Sequence, residues 1–415
     1  MSSPTDSSSD SRRIGTEKSV SADRFESVSF DDSRSYGIGW WFVPMLTAAI
    51  LFVLVASGVH SARTGSDTLT IIGNEIEIID WMYALAVLFV GVLVIARLRS
   101  APALVIQLFK RARGQLLVAI NILYVLVLLV AASITPYIIS EPEIQPLRAV
   151  QPPVWSSVPE TALPICQATV SEGVCPGTMS APFGTNALGQ GMIKSTLLSL
   201  NTTFQVAVTA SVIAATLGIT VGVIAGYYRG RVDEFLMRYV DIQRALPAFF
   251  VYILLILIFS RSYALMILVF GLISWGGIAR LVRSEVMQLR TAPYVRAARL
   301  SGANSALIIR RHILPAITGT VLTAVAMLFA KFMIYEAALS FLSLTDSSVA
   351  SIGNDITTAI GREAGDPTLD PGRSPKFSWT KFPWLVYLPG GVLGSLLLAV
   401  SLLSDTIEDL LDPRE

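Results

Sequence analysis

The sequence predicts an all-α, polytopic membrane protein, and three observations carry that prediction. Hydrophobic residues make up 53% of the 415-residue chain and charged residues only 15%. The mean hydropathy is +0.62, whereas a soluble protein carries about 25% charged residues. The apolar residues gather into segments close to the about 20 residues that a membrane-crossing helix needs. Lysine and arginine are rich and poor by turns in the stretches between those segments, as expected of a chain threading a bilayer.

Taken in order, residues 1–37 are Ser- and Asp-rich (SSPTDSSSDS) with scattered arginines and no apolar run. They are expected to form a disordered cytoplasmic tail with no signal peptide. Eight segments then qualify or nearly qualify as spans: Trp40–Val59, Trp81–Ala96, Leu116–Ile139, Phe204–Gly226, Ala245–Ser260, Tyr263–Val282, Ile317–Leu342 and Trp384–Leu403. The second and fifth are the shortest. Trp40, Trp41, Trp81, Trp384 and Tyr387 fall at segment ends, where interfacial aromatics belong. With the N-terminus inside, the inner loops 97–115, 227–244 and 283–316 hold fifteen Lys/Arg and the outer loops eight. This predicts a plasma-membrane protein with both termini cytoplasmic.

Three regions follow: the tail 1–37, a two-span region 38–115 ending in the basic segment RLRSAPALVIQLFKRAR, and a six-span core 116–415. The core contains a long outer loop, 140–203, and the inner loop 283–316. The outer loop carries both cysteines of the chain, Cys166 and Cys175, in CQATVSEGVC. In an oxidising compartment they would close a small disulfide loop; two free thiols are the alternative. Asn201-Thr202-Thr203 reads as a glycosylation sequon but lies at the mouth of a span.

Several functions are disfavoured. The run Gly189 to Thr196 (GQGMIKST) lacks the glycine before lysine that a P-loop needs, and it falls on the outer side. Two histidines, His60 and His312, cannot supply the usual catalytic or metal clusters, and two cysteines cannot build a thiolate site. No catalytic residue, metal ligand or cofactor site is expected, and nothing calls for nucleic acid. Charged groups inside spans are costly and functional by default. Lys331 and Glu336 qualify clearly. They stand five apart, about 140° round a helix, so they pair poorly with each other, and each is expected to face the bundle or a water-filled path and meet a partner on another helix.

Loop 283–316 is the most telling element. Pro293 disfavours helix at Ala292. Tyr294 to Ser301 is helix-prone, Gly302 can take a positive φ and end that helix, and Asn304 can cap a second one over Ser305–Ile313. Pro315 marks the entry to the next span. The apolar residues Tyr294, Val295, Leu300, Leu307, Ile308 and Ile309 sit among arginines, a pattern suited to a partner's groove or to anionic lipid.

Residues 183–413 resemble the permease subunits of dipeptide, oligopeptide and nickel ABC importers, C-type. The resemblance rests on Phe183-Gly184-Thr185-Asn186, on AGYYRG at Ala225–Gly230, and on DEFLMRYVDIQRALP at Asp233–Pro247. Ser274-Trp275, ARLVR at Ala279–Arg283, Tyr294–Pro315, EAALSFL at Glu336–Leu342 and the C-terminal LSDTIEDLLDPR complete it. It implies a six-span permease core plus about two extra N-terminal spans, with Tyr294, Arg296, Ala297, Ala298, Gly302, Leu314 and Pro315 coupling to the ATPase. It further implies as partners a second permease subunit, P-loop ATPase subunits that hold the ATP, an extracytoplasmic substrate-binding protein, and membrane lipid around the chain itself. The chain departs from the pattern at Arg296, where the family motif opens with Glu, and at Asn186, Gln190 and Gly191, where the family carries Asp, Arg and Asp. A secondary transporter that works without an ATPase, or a membrane scaffold, is the alternative. The former would call for broken-helix repeats and more buried charge.

Overall fold

The computed structural model describes residues 53, 56–57, 59–60, 68–71, 74–100, 116–138, 144–346, 349–360 and 382–411. The expected tail 1–37, nearly all of the first expected span and the basic segment from residue 101 onward lie outside the described residues.

Described elements begin with a hairpin, β1 (Thr68–Ile71) and β2 (Asn74–Glu77), paired antiparallel with Thr68 opposite Glu77. Helices α1 (Ile78–Ser100) and α2 (Leu116–Ile138) follow. A second hairpin, β3 (Ser157–Pro159) with β4 (Val174–Pro176), lies in the predicted outer loop. The remaining helices are α3 (Met192–Tyr228), α4 (Gly230–Ala245), α5 (Ala248–Leu255), α6 (Tyr263–Ile273), α7 (Gly276–Leu289), α8 (Pro293–Leu300), α9 (Ser305–Ile308), α10 (Thr318–Phe341), α11 (Ile352–Ile360) and α12 (Trp384–Leu411).

Among the described residues, six helical stretches are long and apolar enough to cross a membrane: 78–95, 116–138, 192–228, 263–289, 318–341 and 384–406. They match six of the eight expected spans. The fifth expected span, Ala245–Ser260, is different. Only the eight residues of α5 are helical before the chain breaks into turns, giving about 12 Å of helix against a hydrocarbon core of about 30 Å. Conversely α3 is much longer than the apolar run that signals it. It begins at Met192, because Ser195, Ser199 and Thr203 find partners inside the protein. Asn201 is buried there, so the sequon is closed to a glycan.

The long α3 is the central post. Gly218, Gly222 and Gly226 recur every fourth residue, and α7 lies against them. A Cβ at Gly218 would stand 2.8 Å from Ile278 Cβ, one at Gly222 2.6 Å from the Ala279 carbonyl oxygen, and one at Gly226 2.8 Å from that of Arg283. Small residues at this spacing let two backbones approach, the main source of helix association where solvent offers no hydrophobic drive. Phe204, Phe270 and Phe332, all buried, fill the space between α3, α6 and α10, with the rings of Phe270 and Phe332 stacked at 5.5 Å.

The helix preceding the core is tied in by polar contacts. Gln205 Nε2 donates to Asp80 Oδ1 at 2.6 Å, and Tyr83 and Ser133 share a hydrogen bond of 2.8 Å. On its other side α2 meets α12: Asn121 Nδ2 donates to the Ala399 carbonyl at 2.9 Å. Leu117, Leu123 and Leu126 on α2 stay exposed, as expected of a lipid-facing wall.

Candidate functional site

Two constellations stand out, one near each end of α3.

At the N-terminal end, Ser195, Ser199 and Thr203 fall at i, i+4 and i+8 and therefore share a face. They meet two carboxylates in succession. Ser195 Oγ donates to Asp355 Oδ1 at 2.9 Å and Ser199 Oγ to Oδ2 at 2.7 Å. Thr203 Oγ1 donates to Glu336 Oε2 at 2.7 Å. Glu336 is fully buried, and its Oε1 also accepts from Ser351 (2.6 Å) and Ser340 (3.0 Å). This buried acid is thus satisfied by three hydroxyls. Asp355 stands on α11, outside the spans. Burial pushes its carboxyl up to about 6, against the two serine hydroxyls that favour its charged form. Gly353 lets α11 seat directly on α10, since a Cβ there would collide with the Ala337 carbonyl.

The predicted outer loop packs over this end. Cys166 and Cys175 are joined as a disulfide, with Cα atoms 5.8 Å apart. Asn186 Nδ2 donates to Gln190 Oε1 at 2.9 Å, and Asn186 Oδ1 accepts from the Gln190 amide. Where the family pattern has Asp and Arg, this chain thus holds a neutral hydrogen-bonded pair.

Loop 283–316 lies near the opposite end. Arg283 grips Asp233 with two donors, Nη2 reaching Oδ2 at 2.6 Å, and Arg280 pairs with Asp241. These bonds tie α4 to α7. Pro293 opens α8, and Gly302 follows it with φ +85° and open space around its Cα. Asn304 Oδ1 accepts from the Leu307 amide at 2.8 Å and caps α9. The second helix is shorter than expected. After Ile308 the chain widens into a π-helical turn, Ile309–Ile313, then makes one turn over Leu314–Ala316.

The structure gathers all seven residues expected to couple into this one element. Tyr294, Arg296, Ala297, Gly302 and Leu314 are exposed, and Ala298 and Pro315 are half-buried. Of the apolar residues, Val295 and Ile308 turn inward, with exposures of 0% and 1%, whereas Leu300 is 90% exposed. The guanidinium groups of Arg290 and Arg299 lie 6.0 and 5.9 Å from the Tyr227 ring centroid, holding the element to the end of α3.

Lys331 and Glu336 point to different surroundings, as their spacing predicts. Lys331 is exposed, its Nζ 5.2 Å from the centroid of the Tyr335 ring. Sequence reasoning missed Asp355 and its two serines. The serine stripe was the available signal: hydroxyls at four-residue spacing entering an apolar span.

A model of the family described as "Binding-protein-dependent transport system inner membrane component" matches residues 218–415. The oligopeptide transport system permease protein OppC of Mycobacterium tuberculosis is 31% identical over 233 residues, 56% of this chain and 75% of that protein. The chain belongs to this family of ABC importer permeases. OppC of Escherichia coli K12 is 30% identical over 234 residues, 56% of this chain and 72% of the relative. The dipeptide permease DppC of Bacillus subtilis is 28% identical over 251 residues, 60% of this chain and 74% of its own length. As a member of this family the chain is a multi-pass membrane component of an ABC importer, and its all-α fold agrees with that.

Proposed function

We propose that this permease carries peptides or similar small solutes inward, driven by ATP hydrolysed on separate subunits. It works beside a second permease subunit as a heterodimer, receives solute from an extracytoplasmic binding protein, and keeps both termini in the cytoplasm. The chain itself binds no nucleotide. The 293–316 element is the coupling element, and one observation carries that reading: Leu300, 90% exposed at the bend beside Gly302, with Arg296 and Arg299 flanking it. An unburied leucine between cations suits a groove on a soluble partner. The anchoring of this element to α3 through Tyr227 supports the further step, in which ATPase closure shifts the spans between inward- and outward-facing states. The names of the relatives support peptides as cargo.

The test uses the complete transporter in proteoliposomes. Leu300→Asp is expected to lower co-purification of the ATPase at least tenfold while the permease still inserts. A side chain at Gly302 must adopt a left-handed backbone, at about 1–2 kcal/mol. Gly302→Val is therefore expected to retain the ATPase but lose most ATP-driven uptake. Unchanged ATPase capture by Leu300→Asp together with normal uptake by Gly302→Val would overturn the coupling assignment, whereas wild-type uptake that continues without ATPase subunits would favour an ATPase-independent transporter. Recovery of the wild-type chain with soluble partners other than ATPases would point to a scaffold.

A further inference from the structure

Lys331 poses a problem that the fold does not solve by itself. It is the fourteenth residue of the 24-residue α10, about 20 Å along a helix that crosses the membrane. A cation at that depth must meet a counter-charge or water. Among the described residues no carboxylate pairs with it, and its recorded contact is the face of Tyr335. Glu336, the nearest acid in sequence, is buried and already satisfied by three hydroxyls.

Lys331 instead lines an open cavity of about 440 Å³, whose wall also includes Arg244, Ser274, Gly277, Met327 and Tyr335. Both charged side chains of that wall are cations. Arg244, at the end of α4, is a second cation without a carboxylate partner among the described residues. Ser274 Oγ is buried with no hydrogen-bond partner there. The N-terminal turn of α7 begins at Gly276, and a Cβ at Gly277 would meet nothing within 4 Å. A ligand can therefore approach that backbone directly, where α6 passes into α7. The volume suits part of a small solute.

We propose that Lys331, with Arg244 and the Gly276–Gly277 turn, forms an anion subsite on the translocation path that takes a carboxylate of the moving solute. This rests on the importer reading above. The subsite gives the permease its own preference for solutes bearing a free carboxylate, separate from that of the binding protein. Lys331 is a specificity residue and Arg244 widens the positive field toward the predicted inner side.

The test measures ATP-driven uptake of a tripeptide and of its C-terminal amide by the complete transporter with its binding protein, for wild type, Lys331→Gln and Lys331→Arg. The binding protein's own preference is common to all three and cancels in the ratio of variant to wild type. Lys331→Gln is expected to slow uptake of the free acid about tenfold, the amide less than twofold, with Lys331→Arg retaining the free-acid rate within about threefold. Equal slowing of both peptides, or no slowing of either, would overturn the subsite. Loss of the second permease subunit from purified Lys331→Gln would overturn it too, because the counter-charge would then belong to that subunit. Failure of wild type to move any solute with ATP would instead sink the importer reading itself.

Discussion

Asp355 carries the clearest pH consequence at the level of a single residue. Its native carboxyl titrates near 6, against about 3.9 in an unfolded chain. Below pH 4 both states are protonated and the contribution is whole. As pH rises toward and past 6 the unfolded state gives up its proton more readily, and that stability is lost. Melting temperature in detergent is thus expected to fall between pH 4 and 7 more steeply for wild type than for Asp355→Asn; parallel slopes would refute it. Glu336 gives a second prediction. Glu336→Leu strips the acceptor from Ser351 and Ser340, and each orphaned hydroxyl costs about 1–3 kcal/mol. Thr203 keeps the Ser199 carbonyl at 3.1 Å, and Ser340 can donate to the Tyr263 hydroxyl at 3.3 Å. The expected loss is therefore only about 2 kcal/mol, read as a lower melting temperature with solute preference unchanged.

At the scale of the element, residue chemistry alone made the 293–316 element legible. Pro293, Gly302 and Asn304 each have one dominant use, and each is put to it. The π-helical turn at Ile309–Ile313 had no such marker, since Ile, Arg and His are at home in an ordinary helix. Removing the cap with Asn304→Ala is expected to cost about 1 kcal/mol, and hydrogen exchange should then rise in α9 but not in α8. Apolar length found the spans but read 245–260 as one helix: the run is hydrophobic enough, yet only α5 is helical. It also placed the start of α3 twelve residues late, because buried hydroxyls look like loop until their partners are known. The glycine seam makes a sharper test. Gly222→Val would force a side chain into the Ala279 carbonyl and Val282, and overpacking costs about 1–3 kcal/mol. We expect this variant to lose most of its folded yield by size exclusion, whereas Gly277→Ala, which meets open space, should not.

Across the whole molecule, the charge asymmetry of the loops predicts which faces look in and out. Leu300→Cys should react with an impermeant maleimide only from the inner side. The disulfide Cys166–Cys175 should yield reactive thiols only after an impermeant reductant is added outside. Labelling of Leu300→Cys in intact cells would reverse the orientation. How the chain sits in the membrane is thus a prediction from lysine and arginine, while the burial of Glu336 and the exposure of Lys331 needed the helices in place. Helix α3 ties these scales together. Its 37 residues make a rod about 55 Å long, nearly twice the thickness of the hydrocarbon it crosses. One end is fastened through hydroxyls to two carboxylates and the other through bare backbone to α7. No joint interrupts it, so it behaves as a stiff lever: a tilt of about 5° at Gly222 would carry Ser195, about 40 Å away, sideways by about 3.5 Å. The mouth of the protein cannot stay still while its base turns.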